Sequence, residues 1–202
     1  MKSILISIRP KWVEKIASGK KTIEVRKTAP KEMPFKAYIY ETKKEHLRVV
    51  FKKGDYIFSD DHSAGKFDEN IFVKDRYSWQ GKVIGEFICD KVYSIKNQGN
   101  SFVVANEEQG VTNEIARQSC LDYDDMVGYL GNKDGYGWHI SDLKIYYKPK
   151  ELSEFCIPCK VSCENCKNPL YFECSCEEKG KKIVTRPPQS WCYVEELCKA
   201  QN

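Results

Sequence analysis

The chain has 202 residues, enough for one domain or one domain with an appendage, and its 41% hydrophobic and 12% aromatic content supports a packed core, which excludes a disordered chain. The formal net charge of +4 permits a nucleic-acid partner without demanding one. No run of about 18 apolar residues occurs, so no membrane-spanning helix is expected.

In chain order, the opening "MKSILISIRPKW" alternates Ile4, Ile6 and Ile8 against Ser3 and Ser7, and Arg9 and Lys11 then stop the apolar run. This predicts a first strand over 3–8 rather than a signal peptide, and a cytoplasmic protein. Pro10 suits the first position of a helix and Gly19 the position just past its end, with Trp12, Val13, Ile16 and Ala17 on one apolar face.

The stretch "GKKTIEVR" follows. Ile23 and Val25 alternate with Thr22, Glu24 and Arg26, predicting a half-buried strand over 21–26. Glu24 and Arg26 share one face. That face is either a solvated surface pair or the lining of a cleft. Only six of the 33 basic residues are Arg, so Arg26 is a more informative position than a surface Lys.

Further strands are expected over 36–42, 54–61 and 69–79, and the longest over 81–95, where Gly85 suggests a bulge or a bend. Residues 101–106 form another short strand or a loop. Asn113 and Asp122 are read as N-caps of two short helices, the second ended by Gly131. "GYGWHISDLKIYY" over 135–147 is a strand, and "SWCYVEEL" over 190–197 begins as a closing strand. The "EEKGKK" tip at 177–182 is a solvated loop.

Six of the ten cysteines fall in "CIPCKVSCENCKNPLYFECSC", residues 156–176, as C-x2-C, C-x2-C and C-x-C. Without an export signal, this density indicates metal rather than disulfides. A tetrahedral zinc site takes four thiolates, and the preferred set is Cys163, Cys166, Cys174 and Cys176, with Cys156 and Cys159 as the alternative first pair. The zinc is structural, since a catalytic site keeps an open position and recruits His or carboxylate. The three histidines, His46, His62 and His139, lie elsewhere in the sequence.

Many short strands, few helices and a metal-stapled insertion predict a mainly β, α+β fold: a small closed barrel with short helices at one end, whose polar function sits at a mouth. The chain is expected to be one domain over 1–202, with the cysteine-rich insertion at 152–184.

The stretch "LISIRPKWVEKIASGKKTIEVRK" resembles the ASCH domain family of the PUA-like superfamily, through Ser7, Pro10, Trp12, Ile16 and Gly19-x-Lys21-x-x-Glu24-x-Arg26. "GKVIGEF", "YGWHISDLKIY" and "PPQSWCYVEEL" resemble later strands of that family. The last two resemble phage-type and Gram-positive members, some of which carry a cysteine-rich insertion between them. The resemblance implies a PUA-like barrel with a cleft beside the first helix that binds RNA or a modified nucleotide.

On that carry-over Lys21, Glu24 and Arg26 line the cleft, with Arg9 and Lys20 at its edge. Lys and Arg hold phosphate, and Glu accepts from an exocyclic amine of a base. Trp138, Tyr136 and Trp12 are candidate stacking residues, each with core packing as the alternative.

One branch of the family resembled removes the acetyl group from acetylcytidine with a Lys, a Thr nucleophile and a Glu. Lys21 matches the Lys, but Glu24 stands where that branch has the Thr. If this chain were enzymatic, Lys21 and Glu24 would carry a different acid–base mechanism. The leading expectation is therefore RNA or nucleotide binding without catalysis. A nucleoside-directed hydrolase and a zinc-stabilised protein-interaction module are the alternatives.

Overall fold

A computed structural model describes residues 1–43, 48–52, 55–59, 71–75, 80–99, 101–158 and 183–196. Its fold is mixed α+β and mostly sheet, with three short α-helices among the described residues.

The first strand, β1 (Lys2–Ile8), leads into α1 (Pro10–Ala17). Pro10 takes the first helical turn, and Val13 and Ile16 are buried on the inward face. Gly19 follows at φ +71°, a left-handed conformation that turns the chain out of the helix. Next come β2 (Ile23–Arg26) and β3 (Phe35–Glu41). β3 runs parallel to β1, with Lys2 opposite Phe35 and Ile8 opposite Glu41. Parallel neighbours need a crossover. Here α1 and β2 make it, and β2 joins a different sheet on the way.

Residues 48–52, 55–59 and 71–75 form β4, β5 and β6, a three-stranded antiparallel sheet with β4 in the middle. β7 (Val83–Cys89) pairs with β3, and β8 (Val92–Asn97) pairs with β10 (Gly135–His139). Between β8 and β10 lie β9 (Phe102–Val104), α2 (Gln109–Ser119) and α3 (Tyr123–Leu130). β11 (Ser141–Lys150), β12 (Phe155–Cys156), β13 (Trp191–Tyr193) and β14 (Glu195–Glu196) complete the order.

Two larger sheets result, one ordered β11-β7-β3-β1-β13 and the other β2-β10-β8-β9. The expected strand over 81–95 is two strands, broken at Asp90 and Lys91, and that over 135–147 is also two, broken at Ile140. At each break the chain leaves one sheet for the other, as at the corners of crossed sheets. Among the described residues the sheets do not close into the expected barrel. β2 is an edge strand, and its approach to β1 is spanned by a side chain, that of Arg26, instead of a backbone ladder. The three helices pack on different cores. Val13 and Ile16 of α1 join the main core, whereas Ile115 of α2 and Met126 of α3 cover Ile23 and Val25 of β2.

Gly85 is a point of close approach. A Cβ there would lie 2.5 Å from the Lys144 carbonyl oxygen, and the β3–β7 register shifts beside it, as the expected bulge requires. Asp122 caps α3 by accepting from the Asp125 amide at 2.7 Å. Asn113 does not cap α2. That helix begins a turn earlier at Gln109, whose side chain donates to Asn113 Oδ1 at 3.1 Å.

The five-stranded sheet is covered on both faces. One face holds Ile4, Ile6, Phe35, Phe87 and Trp138, and the other holds Leu5, Tyr38, Tyr40, Phe155 and Val184. The second cover comes from residues flanking the cysteine-rich segment. β12 pairs with β14, and Cys156 bridges to Ile183, so the two ends of that segment meet on the sheet. The expected ligands Cys163, Cys166, Cys174 and Cys176, and Cys159 with them, lie outside the described residues. Among the described residues no helix is long and apolar enough to cross a membrane.

Candidate functional site: a buried charged triad

β2 is buried along its whole length. Ile23 and Val25 were expected to be. Lys21, Glu24 and Arg26 are buried with them, at 2%, 5% and 6% exposure. A solvated strand face is thereby ruled out. Lys and Arg are almost never this buried unless paired, and here they are: Glu24 Oε2 lies 3.4 Å from Lys21 Nζ and Glu24 Oε1 lies 3.0 Å from Arg26 Nη2. One carboxylate thus bridges two cations, leaving the trio one positive charge in excess when all are ionised.

The backbone supplies further acceptors. Lys21 Nζ donates to the Ser119 carbonyl at 2.6 Å, at the C-terminus of α2, where the helix dipole favours a cation. The same turn docks on the chain before β2, because the Thr22 amide donates to the Gln118 carbonyl at 3.0 Å and Cys120 Sγ lies 3.3 Å from the Lys20 carbonyl. Arg26 Nη2 donates to the Ser7 carbonyl at 2.7 Å, and Arg26 Nη1 reaches Ser190 Oγ at 3.5 Å. Ser7 in turn holds the Pro187–Ser190 segment, donating from Oγ to the Pro188 carbonyl at 2.6 Å and from its amide to the Ser190 carbonyl at 3.0 Å. The guanidinium therefore ties β2 to β1 and to the approach of β13.

Burial pushes the Lys21 ammonium below its ordinary value of 10.5, while Glu24 works in the opposite direction. Two buried donors have no partner among the described residues, Arg26 Nε and Trp138 Nε1. Trp138 stands opposite Glu24 and Tyr136 opposite Arg26 in the β10–β2 register, so these side chains share a face.

Trp138 corrects one expectation. It is 0% exposed and edge-on to Phe35 at 5.1 Å and to Trp191 at 6.0 Å, so it is a core residue and not a surface stacking platform. β10 lies inside its sheet, between β2 and β8, and its inward side chains are enclosed. The Trp138 indole N–H has no hydrogen-bond partner among the described residues. Tyr136, 36% exposed, lies two residues away on the same face, where that face reaches the surface.

Trp12 stands at the margin, half-buried, with three ammonium groups around its ring: Lys11 at 4.5 Å, Lys15 at 4.9 Å and Lys21 at 5.3 Å from the centroid. It links the buried triad to a basic outer surface that sequence reasoning missed. The signal was present, since Lys11 and Lys15 lie four residues apart on α1 and so share a helix face with Trp12 beside it. Arg9 and Lys20 are both exposed. The Arg9 carbonyl accepts from the Trp12 and Val13 amides at the start of α1.

Elsewhere, burial pushes the Cys89 thiol up to about 12, which makes it a packing residue and no nucleophile. Among the described residues no group of three or more His, Cys, Asp or Glu side chains is placed to hold a metal.

Residues 6–179 match the model of the ASCH domain family. The structure of ASCH from Zymomonas mobilis is similar at a TM-score of 0.51 and 17% identity, over 96% of this chain and 88% of that one. Two variants of that protein, a Tyr-to-Phe and a Ser-to-Ala substitution, are similar at TM-scores of 0.52 and 0.51, each at 16% identity and over 96% of this chain, covering 91% and 89% of theirs. At such identities the likeness is one of fold. Comparison with curated proteins finds no match.

Proposed function

The chain belongs to the ASCH domain family, and from that premise we propose that it binds single-stranded RNA or a modified nucleotide at the site built by Lys21, Glu24 and Arg26. One observation carries the reading: three ionisable side chains at 2–6% exposure hold one excess positive charge next to two unpartnered buried donors, Arg26 Nε and Trp138 Nε1. A buried arrangement with surplus charge and spare donors is costly for the fold alone. An anionic, acceptor-rich ligand relieves both demands. Lys11, Lys15, Lys20 and Arg9 extend positive charge from this site along the surface, as a phosphate backbone requires. Trp12 and Tyr136 are the aromatic side chains placed to meet a base. The family resemblance supplies RNA as the polymer.

The test is titration of fluorescently labelled single-stranded RNA against wild type, Glu24→Gln, Arg26→Lys and Lys11→Gln/Lys15→Gln, with melting curves on each protein. Glu24→Gln and Arg26→Lys are expected to weaken binding about tenfold, roughly the value of one charge-assisted hydrogen bond. The double Lys variant is expected to flatten the salt dependence by about two phosphate contacts. Equal affinities across folded proteins would refute the reading.

A second reading rests on the lowered Lys21 pKa with a carboxylate 3.4 Å away. Such a pair suits proton transfer in a nucleoside-directed hydrolase. It predicts acetate release from acetylcytidine that is abolished in Lys21→Gln. The phage-type and Gram-positive subtype, with its structural zinc at Cys163, Cys166, Cys174 and Cys176, is the finer assignment we favour. The subtype rests on the resemblance of "YGWHISDLKIY" and "PPQSWCYVEEL" to such members, and the zinc on the cysteine spacing.

A further inference from the structure

On the other side of β2 from the triad, a cavity of about 250 Å³ lies between α2, α3 and the four-stranded sheet. Val25, Ile95, Phe102, Val104, Ile115 and Met126 supply its apolar lining. Its buried hydroxyls are already committed. Thr112 Oγ1 accepts from the Val104 amide at 3.0 Å, and Ser119 Oγ donates to the Ala116 carbonyl at 2.7 Å. The inner part therefore asks for an apolar occupant. Ser101, Gln109, Asn113, Asp122 and Tyr123 add polar groups to the lining and are exposed. Among the described residues that line the cavity, Asp122 is the only charged one. The Phe102 and Tyr123 rings stand 5.8 Å apart at 49°, and the Tyr123 hydroxyl is held by the Gly99 carbonyl at 3.1 Å.

We propose that this cavity binds a small, flat aromatic molecule, neutral or cationic, and rejects anions. Apolar walls with a few polar groups are the general form of a small-molecule site. The volume lies below the roughly 300–1,000 Å³ of drug-sized pockets, so the occupant is a one- or two-ring system. A lone carboxylate with no Lys or Arg sets the charge preference, opposite to that of the triad. The two sites share a wall: Ser119 lines the cavity, and its carbonyl accepts the Lys21 ammonium at 2.6 Å. An occupant that shifts the last turn of α2 is therefore felt at Lys21. The proposal does not depend on RNA binding.

Indole, tryptamine and indole-3-acetate serve as neutral, cationic and anionic probes, titrated into the full chain by methyl NMR. Saturable shifts are expected at the methyls of Val25, Ile95, Ile115 and Met126. Tryptamine should bind at least as tightly as indole, and indole-3-acetate about fivefold or more weakly, the scale of one exposed like-charge contact. Ala116→Phe, at an exposed helix position lining the cavity, should weaken indole about tenfold with the melting temperature unchanged. Asp122→Asn keeps an N-capping side chain and removes the charge, so it should erase the preference for tryptamine over indole-3-acetate. The Asp122→Asn arm decides the matter if Ala116→Phe does not fold. Absence of saturable shifts with all three probes, equal indole binding by a folded Ala116→Phe protein, or an unchanged probe order in Asp122→Asn would each overturn the proposal.

Discussion

Ile23 and Val25 leave water by packing against Ile115, Val104, Ile95 and Met126, whereas Glu24 and Arg26, one residue further along in each case, leave it by pairing. The apolar face gains in proportion to area, roughly 1.5–3 kcal/mol for each side chain fully buried. The charged face has no such income. Desolvating three ionised groups offsets most of their mutual attraction, so a buried ion pair is weak evidence for stability. A fold that needed only a core would put aliphatic residues on both faces. The two faces are held by different forces, so they should fail in different ways.

The largest effect should come from cutting the charged face at its centre. Glu24→Ala leaves Lys21 and Arg26 buried without their counter-charge, and a loss of about 3–5 kcal/mol is expected in urea unfolding. Glu24→Gln keeps the shape and should cost less. A Glu24→Ala protein within about 0.5 kcal/mol of wild type would mean that the two faces do not differ in kind.

A smaller, graded loss is expected on the apolar face. Ile23→Val removes one buried methylene opposite Val104 and Ile115 and should cost about 0.5–1.5 kcal/mol by the same measurement. RNA affinity should be unchanged, since Ile23 points away from the triad.

The pH dependence sharpens the contrast further. Burial holds the folded-state pKa of Lys21 below its ordinary 10.5, so the unfolded chain binds more protons between the two values. Stability therefore gains a contribution as pH rises through that window, present above the unfolded value and lost as pH falls through the folded one. Melting temperatures recorded from pH 7 to 10.5 should show this rise in wild type relative to Lys21→Gln, whose own profile lacks it. Parallel profiles would show that Lys21 is not desolvated as described.

The smallest effect on β2 should come from metal. About one zinc per chain is expected by elemental analysis, from the cysteine spacing, and chelation should unfold the cysteine-rich segment. Both faces of β2 should stay intact, read as unchanged methyl signals of Ile23 and Val25. Zinc near zero in protein purified without added metal would contradict the metal assignment. Collapse of β2 on chelation would show that the faces depend on the insertion.

The alternation of residues 22–26 was enough to place Glu24 and Arg26 on one face, because a strand's period is local. It could not say what covers that face. The cover is the Ser7 carbonyl, Trp138 and the Pro187–Ser190 segment, brought in from distant parts of the chain. The Ser119 carbonyl that holds Lys21 is a backbone atom, which no side-chain pattern reveals. The same limit split two expected strands. "GKVIGEFICDKVYSI" has continuous strand character, and only the polar pair Asp90 and Lys91 marks the corner where the chain changes sheets. Trp138 was left between two readings for a related reason, since an aromatic beside a glycine on a strand is equally suited to a surface and to a core. Asp122 was legible as a cap, because its partner amide is three residues away. Asn113 carried the same signal one turn too late.

The stem beneath the cysteine-rich segment has a consequence for how this chain could have been assembled. With Cys156 bridged to Ile183 and Phe155 paired to Glu196, the chain departs and returns at one place on the outer sheet face. Every strand of the described sheets lies outside residues 157–182. A segment hung this way can be lengthened, exchanged or deleted by rejoining neighbouring ends, with the sheet order left as it is. The rest of the molecule is thereby a chassis, on which a second module can be acquired or lost in a single step.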